Sequence, residues 1–268
     1  MARGPRKKPA ASGGVSDIAG FVFQANAESF ELGIGAPGPP AAAEAKPHYT
    51  EHRARLRARF EQSGAEGLPD YELLELLLFR IVPRQDVKPL AKRLIERFGD
   101  LGAVLGAAPA RIAETPGAGP AVALELKITQ AVLQRAAKAE IGRAPIITSW
   151  SALLEYCRLR LAHETREQFR VLFLDRKNQL IADEAMGAGT VDHAPVYPRE
   201  IVRRALELSA SALILVHNHP SGDPKPSMAD VAITREIASA AKPLDIAVHD
   251  HLVVGRHGVA SFKSLGLL

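Results

Sequence analysis

Two histidines and an aspartate stand at metal-ligand spacing in the stretch His217-Asn-His-Pro-Ser-Gly-Asp-Pro-Lys-Pro-Ser-Met-Ala-Asp230. The apolar run 212–216 leads straight into it and reads as a buried strand. In an extended chain residues i and i+2 share a face, so His217 and His219 can turn both imidazoles to one point. Pro220, Gly222, Pro224 and Pro226 then force an irregular turn. Ser227 opens a helix with Asp230 in its first turn, which lets the chain double back toward the histidines. Two neutral imidazoles and one carboxylate make three ligands for zinc (Zn2+), with the fourth tetrahedral position left to water. Zinc lowers the pKa of such a water from about 15.7 toward ~7, which makes hydroxide available at neutral pH.

The same residues have plainer uses. Ser227 and Asp230 also spell a capping box, which satisfies the first amides of a helix. Histidines at a strand end can simply be polar. The combined pattern H-x-H-P-x5-P-S-x2-D nevertheless fixes six positions. Average residue usage gives it odds on the order of 10⁻⁶ over a chain of this length. Coincidence does not compete with a site.

The elements that must position these residues begin near residue 144. The segment 169–174 and the segment 179–183 flank the turn Asp175-Arg-Lys-Asn178 and read as a hairpin. Residues 199–208 and 227–241 have helical character, and 246–248 with 252–254 add strands. Strands interspersed with two helices predict a mixed α+β domain over 144–268. Before it, 48–143 reads as helical. Asp70 stands as N-cap before an apolar run to Phe79, a second helix runs from Asp86 to a stop at Gly99, and a long third follows Pro120. Arg53, Arg55, Arg57 and Arg59 are spaced by two and predict a general basic surface. Residues 1–47, rich in Ala, Gly and Pro, predict a flexible tail.

Composition sets bounds on this. Cys157 is the one cysteine, which excludes an internal disulfide and a thiolate zinc cage, and it reads as a small buried apolar residue. No run is long enough to span a bilayer. The basic and apolar N-terminal patch 6–27 imitates a secretion signal, but its apolar core of six residues is too short, so a cytoplasmic chain is expected. The net charge of +4 sits wholly in residues 1–149, with 20 Lys and Arg against 16 Asp and Glu. That imbalance suits either a polyanionic partner or a solubilising surface.

The His217–Asp230 stretch resembles the JAMM motif of JAB/MPN-type metallopeptidases. Phe169-Arg-Val-Leu-Phe-Leu-Asp175 with Lys177-Asn178, Gly189-Thr190-Val191, Pro195-Val-Tyr-Pro-Arg-Glu200 and Asp250-His-Leu-Val-Val-Gly255 narrow the likeness to the RadC family, over residues 48–268. The resemblance implies a helical, helix-hairpin-helix-like domain followed by an MPN/JAB-type zinc domain. It implies a zinc-dependent peptidase or isopeptidase with His217, His219 and Asp230 as ligands. It further implies Glu167 as the base that deprotonates the zinc water and Ser227 as the donor to the developing oxyanion. Glu164, Glu184 and Glu200 compete with Glu167 for the base. Asp192-His193 departs from the family pattern and leaves the cleft lining there open. In the neighbouring His249-Asp-His251, alternation of strand residues argues against a second metal site, and a carboxylate orienting an imidazole near the first site is the expected role.

Residues 112–123 resemble a helix-hairpin-helix element, in which Gly117 and Gly119 permit the turn and Pro120 starts a helix whose amides could receive a phosphate. The alternative function is therefore a DNA-associated repair or recombination factor whose zinc site is structural or acts on a nucleic-acid substrate. The open fourth zinc position and Glu167 favour a hydrolase acting on a peptide or isopeptide bond.

Overall fold

The computed structural model describes residues 48–188 and 196–268, so the 1–47 tail and the Gly189-Thr190-Val191 and Asp192-His193 positions lie outside the described residues. Lys46–Leu268 make one compact unit. Its first part is helical, as the apolar periodicity predicts: α1 (His48–Ser63), α2 (Asp70–Ile81), α3 (Lys88–Phe98), α4 (Leu101–Gly106), α5 (Pro109–Ala113) and α6 (Gly119–Ile141). Leu74, Leu78, Leu94, Val104, Ile112 and Leu126 are buried together in one core. Each such side chain contributes roughly 1.5–3 kcal/mol by leaving water.

Two local expectations change. Asp70 does not cap its own helix; its carboxylate accepts from Leu101 N at 3.1 Å and so ties the start of α4 to α2. Arg53 does not belong to the basic surface. It is buried, and its guanidinium donates to the carbonyls of Phe79 at 3.0 Å and Gln85 at 2.7 Å. Those are orphan carbonyls around the end of α2, so Arg53 acts as a C-cap from a distance. Arg55, Arg57 and Arg59 are exposed, as the spacing predicts.

The second part is a five-stranded sheet of order β2-β1-β3-β4-β5. The strands are β1 (Gln168–Leu174), β2 (Leu180–Ala188), β3 (Ala212–Asn218), β4 (Ala247–Gly255) and β5 (Gly258–Ser261). β3 and β4 run parallel and the other pairs antiparallel. Alternation divides the sheet residues between two cores. Leu172, Leu174, Ile214, Val216, Leu252 and Val254 pack against α7 (Trp150–Leu161). Val171, Phe173, Leu213 and Leu215 pack against α8 (Pro198–Glu207) and α9 (Met228–Ala241). The sheet is thus sandwiched between helices, and the fold is α+β. Helix α6 crosses from one part to the other, with Leu126 in the helical core and Ile141 in the α7 core.

Helix α7 was not expected, although Leu153, Tyr156, Cys157 and Leu161 recur at helical spacing and are buried. The two short strands expected at 246–254 are one continuous strand. Asp250 sits inside it because its carboxylate is satisfied there, by Ser261 Oγ at 2.5 Å, His251 N at 2.7 Å and Lys263 N at 2.9 Å. No helix among the described residues is long and apolar enough to cross a membrane.

Candidate metal centre

Strand parity decides which face of the sheet carries the site. His217 follows Leu213 and Leu215 at steps of two, so it emerges on the α8/α9 face at the end of β3, stacked on Phe169 across the strand pair. His219 lies just past the strand, with its amide still held by Val254 O at 3.0 Å. Asp230 comes up from the first turn of α9. His217 Nε2 and His219 Nε2 are 3.0 Å apart, and the Asp230 carboxylate oxygens stand 3.2 Å from the first and 3.4 Å from the second. These ligand atoms all lie within 4.8 Å of one another. The three residues can hold a metal ion.

Asp230 fills both roles read from the sequence. Its Oδ2 accepts from Ser227 N at 2.6 Å, and its own amide donates to Ser227 Oγ at 3.1 Å, which completes the capping box. A carboxylate has about four acceptor sites, so capping leaves room for a metal. Burial acts to raise its pKa, but the facing imidazoles of His217 and His219 and the hydrogen bond from Ser227 hold the carboxyl well below its ordinary range.

The hydrogen bonds behind the histidines fix their tautomers. Thr234 Oγ1 lies 2.5 Å from Asp230 O, and a carbonyl can only accept, so the hydroxyl donates there. His251 Nδ1, 2.6 Å from the same hydroxyl oxygen, must then carry its proton. Burial, helped by the neighbouring His217, pushes the His251 pKa well down, so the ring is neutral and its Nε2 accepts. The donor 2.7 Å away is His217 Nδ1. With Nδ1 committed to His251, the His217 nitrogen that faces the cluster is Nε2, which offers a lone pair when the ring is neutral. His219 Nδ1 likewise donates to Asp223 O at 2.9 Å, which frees its Nε2. Two lone pairs and a carboxylate converging within hydrogen-bond distance repel one another unless a cation sits between them. This donor set fits zinc. The hydrogen bond to Asp230 raises the pKa of His219.

The turn joining ligands is clamped from β4. Arg256 donates to Pro220 O at 3.2 Å and Ser221 O at 2.8 Å. Gly255 is required beneath it, because a Cβ there would stand 2.3 Å from Gly222 O. Asn218, between the two histidines, is buried and performs a different task. Its side chain accepts from Gln168 N at 2.9 Å and donates to Arg166 O at 3.1 Å and Glu164 O at 3.4 Å. It thereby ties the segment that carries Glu167 to the ligand strand. Glu167 directly precedes β1, two residues before the Phe169 that pairs with His217, and its charge helps raise the pKa of His219. It forms no hydrogen bond or ion pair with the described residues. Of its competitors, Glu184 is held by Arg204 at 2.6 Å and Glu200 by Arg203 at 3.0 Å.

The His249-Asp-His251 cluster divides its duties in a way alternation alone does not reveal. His251 supports His217, whereas Asp250 holds the end of β5 and the turn after it, and His249 meets Asn178 at 2.6 Å. The expected carboxylate-to-imidazole contact is replaced by an imidazole-to-imidazole one. Thr234, His251, Asn218 and Arg256 carry no signal in the ligand motif, since each acts through a contact distant in sequence or through a backbone group.

Residues 147–267 match the RadC-like JAB domain family. The UPF0758 protein of Rhodobacter capsulatus is 62% identical over 213 residues, covering 80% of this chain and 100% of the relative. The chain belongs to the RadC (UPF0758) family. The domain match begins beside α7 and contains the whole sheet, the three candidate ligands and Glu167. For a RadC-family chain, the likeness over 213 residues extends beyond the JAB domain into the helical part.

Proposed function

We propose that this chain is a JAMM-type zinc hydrolase that cleaves a peptide or isopeptide bond. The observation that carries the reading is the pair of Nε2 atoms facing the Asp230 carboxylate, with the segment that carries Glu167 tied to the ligand strand by Asn218. Zinc, bound by His217, His219 and Asp230, would supply a water of lowered pKa and a Lewis acid for the scissile carbonyl. The chain's own residues then do the following. Glu167 takes the proton of the attacking water and returns it to the departing amine. Ser227 Oγ accepts from Asp230 N, and its own O–H has no acceptor among the described residues. That hydroxyl is available to the oxygen that gains charge. His251 and Thr234 keep His217 in the productive tautomer. A cavity of about 530 Å3, lined by Phe98, Arg111, Glu164, Pro220 and Arg256, lies beside the ligand turn. It offers space for parts of a substrate remote from the bond that breaks.

The test is reconstitution of the full chain. Cleavage of a peptide or isopeptide panel should vanish on chelation and return with one equivalent of zinc. Cleavage that survives complete metal removal would contradict the reading.

A second reading, association with DNA, has one supporting observation. The turn between α5 and α6 has Gly117 at φ 89° and Gly119 at φ 64°, and α6 begins there with Pro120 in its first turn. The leading amides of α6 thus follow a tight glycine turn, as a phosphate-binding hairpin requires. The full chain should then retard a duplex at low salt and release it steeply as salt rises. Absence of any shift at low salt ends this reading.

A further inference from the structure

On the face of the sheet away from the ligands, α6, α7, β1 and β2 enclose a pocket of about 210 Å3 in which positive charge is concentrated. Arg135 and Lys138 from α6, Arg160 from α7 and Arg170 from β1 all line it, against the single carboxylate of Asp183. That carboxylate is already committed: it accepts from Arg170 Nε at 2.8 Å and from the Tyr156 hydroxyl. Arg170 is 8% exposed, and its Nη2 reaches the Asp183 carbonyl at 3.4 Å. Its Nη1 has no partner among the described residues. Among the described residues Arg160 hydrogen-bonds Gln134 alone, at 3.4 Å, and neither Arg135 nor Lys138 meets a described carboxylate. After Asp183 is set against Arg170, three cations remain around one small concavity.

What sets these cations apart is that they converge on one concavity. Like charges three residues apart on one helix, as at 135 and 138, disfavour the helix, and a third cation across the pocket adds to the repulsion. A multiply charged oxyanion removes that cost. Guanidinium groups meet such an anion through paired N–H donors, and two of the three uncommitted cations are arginines, with Arg170 Nη1 adding a further donor. The volume is below the roughly 300–1,000 Å3 of sites that enclose a whole small molecule, so the fit is to a charged group.

We propose that this pocket binds a phosphate group, presented either as free phosphate or diphosphate or as the phosphodiester of a nucleic-acid strand. Two titrations of the full chain at low ionic strength test it, one with pyrophosphate by calorimetry and one with a short single-stranded oligonucleotide by fluorescence anisotropy. Each is run on wild type, on Arg135→Ala/Lys138→Ala and on the charge-matched control Arg235→Ala/Lys242→Ala. The control residues are exposed on the α9 side of the sheet. Arg135 and Lys138 are exposed as well, so the ligand-free melting temperature of each variant should stay at wild type or, for Arg135→Ala/Lys138→Ala, rise slightly as the like-charge repulsion is relieved. The expected result is at least a tenfold loss of affinity for one or both probes in Arg135→Ala/Lys138→Ala, with the control near wild type. A response to pyrophosphate assigns the small anion, and a response to the oligonucleotide alone assigns the phosphodiester. The proposal is overturned if wild type binds neither probe, or if both double variants behave alike. It is equally overturned if pyrophosphate binding survives in Arg135→Ala/Lys138→Ala and is lost in His219→Ala, which would place the anion at the metal cluster.

Discussion

Glu167→Gln is expected to lower turnover by roughly 10²–10⁴, the usual worth of a positioned general base, with zinc content and melting temperature unchanged. The glutamine keeps the shape of the side chain and can still hydrogen-bond a water, but it cannot accept the water's proton. Stability should be untouched because Glu167 makes no hydrogen bond or ion pair with the described residues. The same substitution at Glu164 is the control, read in kcat because Glu164 also lines the cavity beside the ligand turn. Glu164 contributes its backbone carbonyl to Asn218, and a side-chain change leaves that bond in place. Steady-state kinetics on both variants therefore separates them. Activity lost at Glu164 and kept at Glu167 would show that the segment before β1 supplies its base from a different position. Activity kept in both would remove the base from this segment altogether.

How much of this was legible in the sequence varies with the range of the interaction. His217, His219 and Asp230 could be read because a strand step of two and one helical turn are local geometry, and the structure brings all three together. The strands β1, β2 and β3 and the long helices followed from periodicity for the same reason. Helix α7 escaped because it directly follows a boundary region, where Pro145 and the short turn at Ile146–Ser149 obscure its start. The support around the ligands was legible only in part: a hydrogen-bonding role near the site was expected of His249-Asp-His251, but not which member performs it. His251 is 34 residues from His217, and only the parallel pairing of β3 with β4 brings them together. Arg53 likewise looked like surface charge because the carbonyls it satisfies belong to residues 79–85, a helix away.

The second large effect is expected at Asp230. The side-chain carbonyl of an asparagine can still accept from Ser227 N, so Asp230→Asn should cost little stability through the capping box. It removes the negative charge that faces both imidazoles, and zinc affinity should fall further than it does on loss of an outer partner. His251→Phe supplies that comparison. It keeps an aromatic ring beside Phe262 but leaves His217 Nδ1–H without its acceptor, and a loss of about 10–100-fold is expected. Competition titrations with a zinc indicator rank wild type, His251→Phe and Asp230→Asn in that order of decreasing affinity. Unaltered affinity in Asp230→Asn would reduce that residue to a helix cap.

All of these effects presuppose that the three side chains hold zinc, and elemental analysis of the full chain purified without chelator tests that directly. The account predicts about one zinc per folded chain, lost in His217→Ala. A folded wild-type chain that carries no metal, and takes up none when zinc is titrated in, would contradict it.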